Sequence, residues 1–355
     1  MKRTKTLKVR IKDRHRPLLQ QMAWSVNQVW NYVNELSQRS IRERGVFLSA
    51  YDIQPYTNGA GKDLGLHSHT VQEVGREYVT RRQQFKKTRL QWRKSGGVRR
   101  SLGWIPFKSG AVTWKNGQVY HNGHYFKVWD SYGLAQYRFR AGSFSEDARG
   151  RWYLNVVVEV EAEIPAGQDA IGIDLGLKDT ATCSDGTKLE AGRFYRDLEP
   201  ALAHAQRARK KHRVKAIHAK IANRRKDALH KFSRQLVNRC GVIIVGDVKS
   251  RSFTRTNSAK SVYDAGWAQL KQFLSYKSAG AGIVFQAVNE AYTTQACSCC
   301  GAISANSPKG RAGLGIRVWT CECGATHDRD VNAARNILAL GHERLAGGIT
   351  VSSGR

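Results

Sequence analysis

The first strong signal along the chain is a change of hydrophobic period. The segment LKVRIKD alternates apolar and polar positions as a strand does, while from Arg16 to Arg44 the apolar residues Leu19, Met22, Val26, Val29, Trp30, Val33 and Leu36 recur at helical spacing. A second helical stretch is predicted from Ser68 to Lys94. From Leu102 to Ile164 the texture turns to short aromatic and β-branched runs with Gly-containing turns: KNGQVY, HNGHYFKVW, YRFRAG and WYLNVVVEVEAEI. This predicts a β-rich module, a small barrel built together with the first strand.

Beyond a linker at Pro165 to Gln168 the pattern becomes α/β. IGIDLG and TATCSDGTKLE read as paired strands, residues 199–238 as one or two long helices, and GVIIVGDV as a buried strand. Residues 261–279 read as a helix with Val262, Ala265, Trp267, Leu270, Phe273 and Leu274 on its apolar positions, and GIVFQAVNE as a further strand. The expected fold class is α/β plus β, its C-terminal sheet having parallel members and crossover helices. The Gly/Ser-rich end from Leu345 reads as a flexible tail.

Charge narrows the partners. The 355 residues carry 59 Lys plus Arg against 28 Asp plus Glu, a net charge of +31 that calls for a polyanion. Nucleic acid is the natural one, although a membrane surface or an acidic protein would also relieve the self-repulsion. Residues 81–100 hold nine Lys or Arg and no acid, interleaved with Phe85 and Trp92, and residues 207–226 hold ten and no acid. The candidate nucleic-acid contacts are Arg81, Arg82, Lys86, Lys87, Arg89, Arg93, Arg207, Lys210, Lys211, Arg213, Arg224 and Arg225; a solvated helix face is the competing reading for each. The basic N-terminus is followed by no apolar stretch of signal-peptide type, and no run of eighteen apolar residues occurs. A cytoplasmic, nucleoid-associated protein without a membrane partner is expected.

Five of the seven cysteines lie between Cys297 and Cys323. CSCCG and CECG each follow an aromatic element and end in Gly, the form of knuckles whose tight turns let thiolates converge on zinc. Cys297, Cys300, Cys321 and Cys323 are the preferred ligands for a structural Zn2+. Cys299 competes with Cys300, and His327 is an alternate because the second knuckle is CxC where CxxC is usual.

Carboxylates supply the remaining chemistry. Phosphodiester hydrolysis with two divalent cations requires acids gathered from separate elements, and Mg2+ needs few of them because it keeps several waters. Asp174 ends the apolar strand IGID before Gly176, at the sheet edge where α/β folds bind ligands; a turn-forming Asp is the alternative. Asp328 and Asp330 open the helical segment HDRDVNAARNIL, where one of them caps the helix.

IGIDLGLKDTATCSDG, YTTQACSCCG, WTCECG and DRDVNAARNIL together resemble the RuvC-type nuclease core of the transposon-encoded TnpB (OrfB) family, relatives of type V CRISPR effectors, over about residues 168–341. The resemblance implies an RNA-guided DNA endonuclease whose partners are a guide RNA encoded by the element and target double-stranded DNA, with Mg2+, two ions, supporting cleavage beside a short flanking motif. It also implies a wedge-type β-barrel (1–12 and 99–165) interrupted by a helical recognition lobe (13–98), then a RuvC/RNase H-like domain (168–291 and 327–341, with a helical insertion at 199–238). A zinc ribbon at 292–326 and a tail at 342–355 complete it, and a monomer is expected. Asp174 corresponds to the first RuvC acid and Asp330 to the third. Gly246 stands where the second, a glutamate, is expected.

Three readings of that vacancy compete. Glu290, ending the neighbouring strand, reaches the same cluster; or Asp247, beside the vacancy, does so through a bulge, since strand alternation aims it to the opposite face; or the protein binds guided targets without cutting, as a repressor. A transposase acting alone is disfavoured, because the chain has no His pair with a nucleophilic Tyr, and His67-Ser68-His69 lacks an apolar strand around it.

Overall fold

The computed structural model describes residues 2–161, 167–248, 259–310 and 312–349. The chain divides between Glu161 and Ala162 into two units. Residues 165 and 166 of the expected linker, and the tail from 350, lie outside the described residues.

In the first unit β1 (Lys2–Ile11) leads through α1 (Arg16–Arg44), α2 (Ala50–Thr57), α3 (Ala60–Asp63) and α4 (Ser68–Gln84) to β2 (Trp104–Phe107), β3 (Val112–Lys115), β4 (Gln118–His121), β5 (His124–Phe126), β6 (Val128–Trp129), β7 (Phe139–Glu146) and β8 (Trp152–Glu161). The predicted helix over Arg16 to Arg44 forms over that span, with Pro17 in its first turn and Gly45 closing it in the left-handed region at φ 67°. An antiparallel sheet runs in the order β2-β7-β8-β1-β6, and β3-β4-β5 form a separate meander. The expected barrel is therefore an open five-stranded sheet plus a three-stranded one. Asn116-Gly117 and Asn122-Gly123 turn the meander with both residues at positive φ, as two-residue hairpins require. Leu7, Val9, Leu154 and Val156 of the sheet pack with Leu19, Val26 and Val33 of α1 in one core.

The second helix stops at Gln84 and does not continue to Lys94. A strip of asparagines on α1 is the reason. Asn34 exchanges hydrogen bonds with the Leu90 backbone (3.0 and 3.3 Å), and Asn31 does the same with Arg93 (3.0 and 2.8 Å). Side-chain amides thus satisfy backbone groups that a helix would otherwise have paired internally.

The second unit contains β9 (Asp169–Asp174), β10 (Asp179–Cys183), β11 (Lys188–Glu190), α5 (Glu199–Arg207), α6 (Lys211–Arg239), β12 (Cys240–Gly246), α7 (Ala259–Ala265), α8 (Trp267–Ala281), β13 (Val284–Val288), β14 (Val318–Thr320), β15 (Thr326–Asp328) and α9 (Arg329–Ile349). Its sheet is mixed, in the order β11-β10-β9-β12-β13: the first three strands are antiparallel, and β12 runs parallel to both β9 and β13. The helix expected over 261–279 is two helices, broken where Gly266 adopts φ 68°. The closing helix runs on to Ile349, past the expected start of the tail at 342, because Leu340 and Leu345 still pack on the core.

Strand alternation sorts the two faces. Ile243 and Val245 join Leu236, Leu270 and Leu274 in one core, whereas Ile244 packs with Ile337 of α9. The helix α9 lies directly on bare backbone: a Cβ on Gly172 would stand 2.0 Å from the Ala334 carbonyl oxygen, and one on Gly341 2.5 Å from Ile244. No helix among the described residues is long and apolar enough to cross a membrane.

Candidate functional site: a carboxylate cluster beside a four-cysteine centre

Alternation along β9 puts Asp174 on the same side as Gly172, the side that α9 covers. Asp330 lies in the first turn of α9, and the close approach at Gly172 brings that turn to the end of β9. The Asp174 carboxyl is pushed up to about 7 by burial, then by the carboxylates of Asp330 and Glu290, against weaker opposition from Arg329 and the Leu175 N–H. Three acids distant in sequence therefore share one electrostatic environment.

Gly246 lies on the same face, toward Ile337. A Cβ built on it would stand 2.5 Å from Glu290 Oε2 and 3.0 Å from Ile337 Cδ1. The Glu290 carboxylate thus fills the space that a side chain at 246 would enter. Burial pushes Glu290 up to about 7 as well, with Lys271 opposing and Asp247 adding to the rise. Its Oε2 is buried and has no hydrogen-bond partner within the protein, a costly condition for a carboxylate.

Asp247 points the other way, as alternation requires: it is exposed and pairs with Lys271 of α8 at 2.6 Å. Asp328 caps α9, accepting from the N–H groups of Asp330 and Val331 at 3.0 Å each, and meets Lys188 at 3.2 Å. Asp330 is gripped by Arg317 (3.2 Å) and Arg329 (3.1 Å). Neither Arg317, Arg329 nor Lys271 was singled out from the sequence. Arg317 lies thirteen residues before Asp330 and meets it only because the β14–β15 hairpin folds back, with the Arg329 N–H bonded to the Arg317 carbonyl at 2.7 Å.

Among the described residues, the sulfurs of Cys297, Cys300, Cys321 and Cys323 lie within 4.8 Å of one another. Cys297–Cys323 and Cys300–Cys321 are each 3.7 Å apart, close to the ~3.8 Å edge of a tetrahedron with bonds of about 2.3 Å. Both knuckles use the same turn: the cysteine N–H bonds to the residue after the glycine, and the glycine N–H returns to the cysteine carbonyl. The second is one residue shorter, which is why CxC serves there. Cys299 is exposed and contributes its N–H, not its thiol, at 3.4 Å from Cys297 Sγ. His327 Nε2 is 3.0 Å from Cys297 Sγ, beside the four sulfurs. Burial would raise the Cys297 thiol, but the N–H groups of Cys300 and Cys299 and the His327 ring outweigh it and hold it at about 6.

The basic candidates divide by what they touch. Arg82 is buried, donating to Ser37 Oγ (2.7 Å) and the Leu48 carbonyl (2.6 Å), and Arg93 donates to Asn27 (2.6 Å) and the Leu102 carbonyl (2.6 Å). Both hold the first unit together, a correction to their reading as nucleic-acid contacts. Arg81 pairs with Glu77 at 2.6 Å, and half-buried Arg225 donates to the Tyr263 carbonyl. Lys86, Lys87, Arg89, Arg207, Lys210, Lys211, Arg213 and Arg224 are exposed.

Comparison with known proteins bears on both matched regions of the chain. Residues 153–256 match the sequence family OrfB_IS605, described as "Probable transposase", and residues 267–337 match "Cas12f1-like, TNB domain". A Streptomyces pristinaespiralis protein named "Putative RNA-guided DNA endonuclease" is 37% identical over 212 residues, covering 56% of this chain and 52% of its own. The Escherichia coli K12 protein "Putative RNA-guided DNA endonuclease InsQ" is 31% identical over 236 residues, 58% of each chain. The Cas12f1 endodeoxyribonuclease of Sulfoacidibacillus thermotolerans is 30% identical over 219 residues, 54% of this chain and 51% of its own. The chain thus spans about half the length of these curated relatives. The cryo-EM structure of a Cas12f1-sgRNA-target DNA complex contains a chain of the same fold, with a TM-score of 0.60 at 13% identity over 95% of this chain and 99% of that one.

Proposed function

We propose, from a chain that resembles the TnpB (OrfB) family and its Cas12f1 relatives, that this protein is an RNA-guided DNA endonuclease with one RuvC-type site made by Asp174, Glu290 and Asp330. The second unit is then a RuvC/RNase H-like domain carrying a zinc ribbon over 292–326. The first is a wedge-type module with a helical recognition lobe. The observation that carries the reading is the Glu290 carboxylate beside the space above Gly246, with an oxygen buried and unpartnered. A purely structural glutamate gains nothing from that position.

The donor set suits Mg2+: hard carboxylate oxygens, one without a hydrogen-bond partner, and two groups pushed up to about 7, Asp174 by burial and by the charges of Asp330 and Glu290, Glu290 by burial and the charge of Asp247; a nearby cation opposes both. When bound, the ion supplies charge for the phosphate oxygens and lowers the pKa of a water. The protein's own contribution is to hold three ionised acids from β9, the turn after β13 and the head of α9 in one geometry. Arg317 and Arg329 fix the Asp330 carboxylate, and Lys271 pairs with Asp247 while both charges still act on the Glu290 carboxyl. The four thiolates suit structural Zn2+ by softness and spacing.

Base pairing between a guide RNA and the target would carry sequence recognition, while the protein holds backbone and reads a short flanking duplex. Exposed Lys86, Lys87, Arg89, Lys210, Lys211 and Arg213 are the phosphate contacts this reading uses. The deciding experiment is cleavage of a guide-matched plasmid in Mg2+ by Glu290→Gln. Cutting should be abolished with guided DNA binding retained within a few-fold. Continued cutting by Glu290→Gln, with loss in Asp247→Asn, overturns the assignment; binding without nicking, unchanged by Asp174→Ala, makes the protein a guided repressor.

A further inference from the structure

We infer that Asn332 and Asn336 are positioning residues that set the distance between Glu290 and Asp330, and so let a glutamate outside the sheet serve in the cluster; this rests on the site proposed above. Glu290 lies two residues past the end of β13, so no ladder hydrogen bond fixes it. The chain turns immediately after it: Thr293 Oγ1 and N–H donate to the Glu290 carbonyl at 2.8 and 3.2 Å, and Tyr292 is held at φ 67°. On the other side, two residues after Asp330, the helix α9 presents Asn332 and one turn later Asn336, the i and i+4 neighbours of one face.

Both amides close on that turn. Asn332 Nδ2 donates to the carbonyls of Thr293 (3.2 Å) and Ala296 (2.7 Å), and Asn336 Nδ2 donates to the same two carbonyls (2.8 and 2.7 Å). Asn332 Oδ1 in turn accepts from the Ser298 N–H at 2.8 Å, next to Cys297. Asn332 is 1% exposed and Thr293 4% exposed. Five hydrogen bonds from two side chains therefore tie the segment running from Glu290 to the first cysteine knuckle onto the helix that carries Asp330. An acid seated on β12 would need no such tie, because the ladders to β9 and β13 already hold that strand. The tie also makes the cysteine knuckle and the carboxylate cluster share one rigid connection.

The test uses the full chain with its guide, and calcium alone as a probe that binds without supporting turnover. Asn336→Ala should weaken calcium binding by calorimetry about ten-fold and slow single-turnover cleavage in Mg2+ by roughly ten- to a hundred-fold, the scale of an ~1 Å misplacement. Guided DNA binding and one zinc per chain should be kept. In the background Gly246→Glu with Glu290→Gly, where the acid is moved onto β12, the calcium loss caused by Asn336→Ala should shrink below two-fold; equal losses in both backgrounds mean a general structural role and overturn the inference. Unchanged calcium affinity and cleavage in Asn336→Ala overturn it too. If the alanine variant does not melt cooperatively, Asn336→Gln, which keeps the donor but displaces it by a methylene, is measured with the same two expected losses and the same refutation. Failure of the site itself looks different: Glu290→Gln then cuts normally, whereas failure of the clamp leaves Glu290→Gln dead and Asn336→Ala intact.

Discussion

Adding a single methyl group at residue 246 should separate cutting from folding. In Gly246→Ala the new Cβ meets Glu290 Oε2 at 2.5 Å and Ile337 Cδ1 at 3.0 Å, against an ordinary contact of 3.4 Å or more. The nearest obstacle is the end of a flexible side chain, so the carboxylate yields by roughly 0.9 Å while the backbone stays. A displacement of that size in a metal-holding acid costs about 10²-fold in the chemical step. Stability should fall only modestly: overpacking costs about 1–3 kcal/mol and the loss of glycine's unfolded freedom returns about 0.4–1 kcal/mol, with the net toward the low end because the nearest obstacle is a side-chain terminus that can yield. The assay is single-turnover cleavage of guide-matched DNA at saturating protein, with binding by gel shift and melting measured on the same preparation. Cleavage at the wild-type rate would show that Glu290 is not where the reaction needs it. A parallel loss of binding and melting temperature would show that the methyl disturbs the fold instead.

At sub-saturating Mg2+, cleavage should rise with pH between about 6 and 8, because in the metal-free protein Asp174 and Glu290 are pushed up to about 7 and protons would compete with the ion for them on the proposed site; a rate flat across that range at limiting Mg2+ counts against their roles. Both folded values lie above the ordinary carboxylate range, so the stability they contribute is complete below about pH 4 and is lost as pH rises through about 7. Asp174→Asn should therefore stabilise the metal-free protein at pH 8 but not at pH 4, by about 1–2 kcal/mol after allowance for water that still reaches the cluster, and denaturant melts at the two pH values check this. Cys321→Ser should lose its zinc by elemental analysis and lower melting temperature and cleavage together; a preparation of the unaltered protein without zinc removes the ribbon. Arg82→Ala should destabilise the first unit by about 2–4 kcal/mol, leaving buried Ser37 Oγ and the Leu48 carbonyl without their donor, whereas Lys211→Ala should leave melting unchanged and lower the salt dependence of nucleic-acid binding by about one unit of slope.

Parts of the second unit were legible where a local rule fixes the residue concerned. Alternation along β12 assigns Ile244 and Gly246 to one face and Asp247 to the other, which is why Asp247 could be set apart from the cluster on the strand pattern alone. The cysteine set followed from two glycine-ended knuckles, and Cys299 falls outside it because its sulfur is not among the four that converge within 4.8 Å. The rest depends on contacts that no window of sequence contains. The helix over 68–94 ended ten residues early because asparagines fifty-six to sixty-two positions away hold the backbone of Leu90 and Arg93. Arg82 and Arg93 look like their exposed neighbours in composition, and only the fold turns them inward. Arg317 reaches Asp330 across a hairpin whose register is set by its own ladder.

On the site proposed above, an acid at 290 in place of one on β12 has a physical cost that accounts for other features of the same region. A glutamate on β12 would inherit its rigidity from two parallel neighbours, but one at 290 inherits only that of a turn. A bare backbone at 246 is then required, because any Cβ there occupies the space the Glu290 carboxylate uses. Rigidity must come from elsewhere, and the amides of Asn332 and Asn336 supply it from the helix that already carries Asp330. A glycine at 246, an acid at 290 and a pair of amides on α9 are thus one arrangement, and restoring a glutamate at 246 without removing Glu290 should crowd two carboxylates into one space and impair cutting.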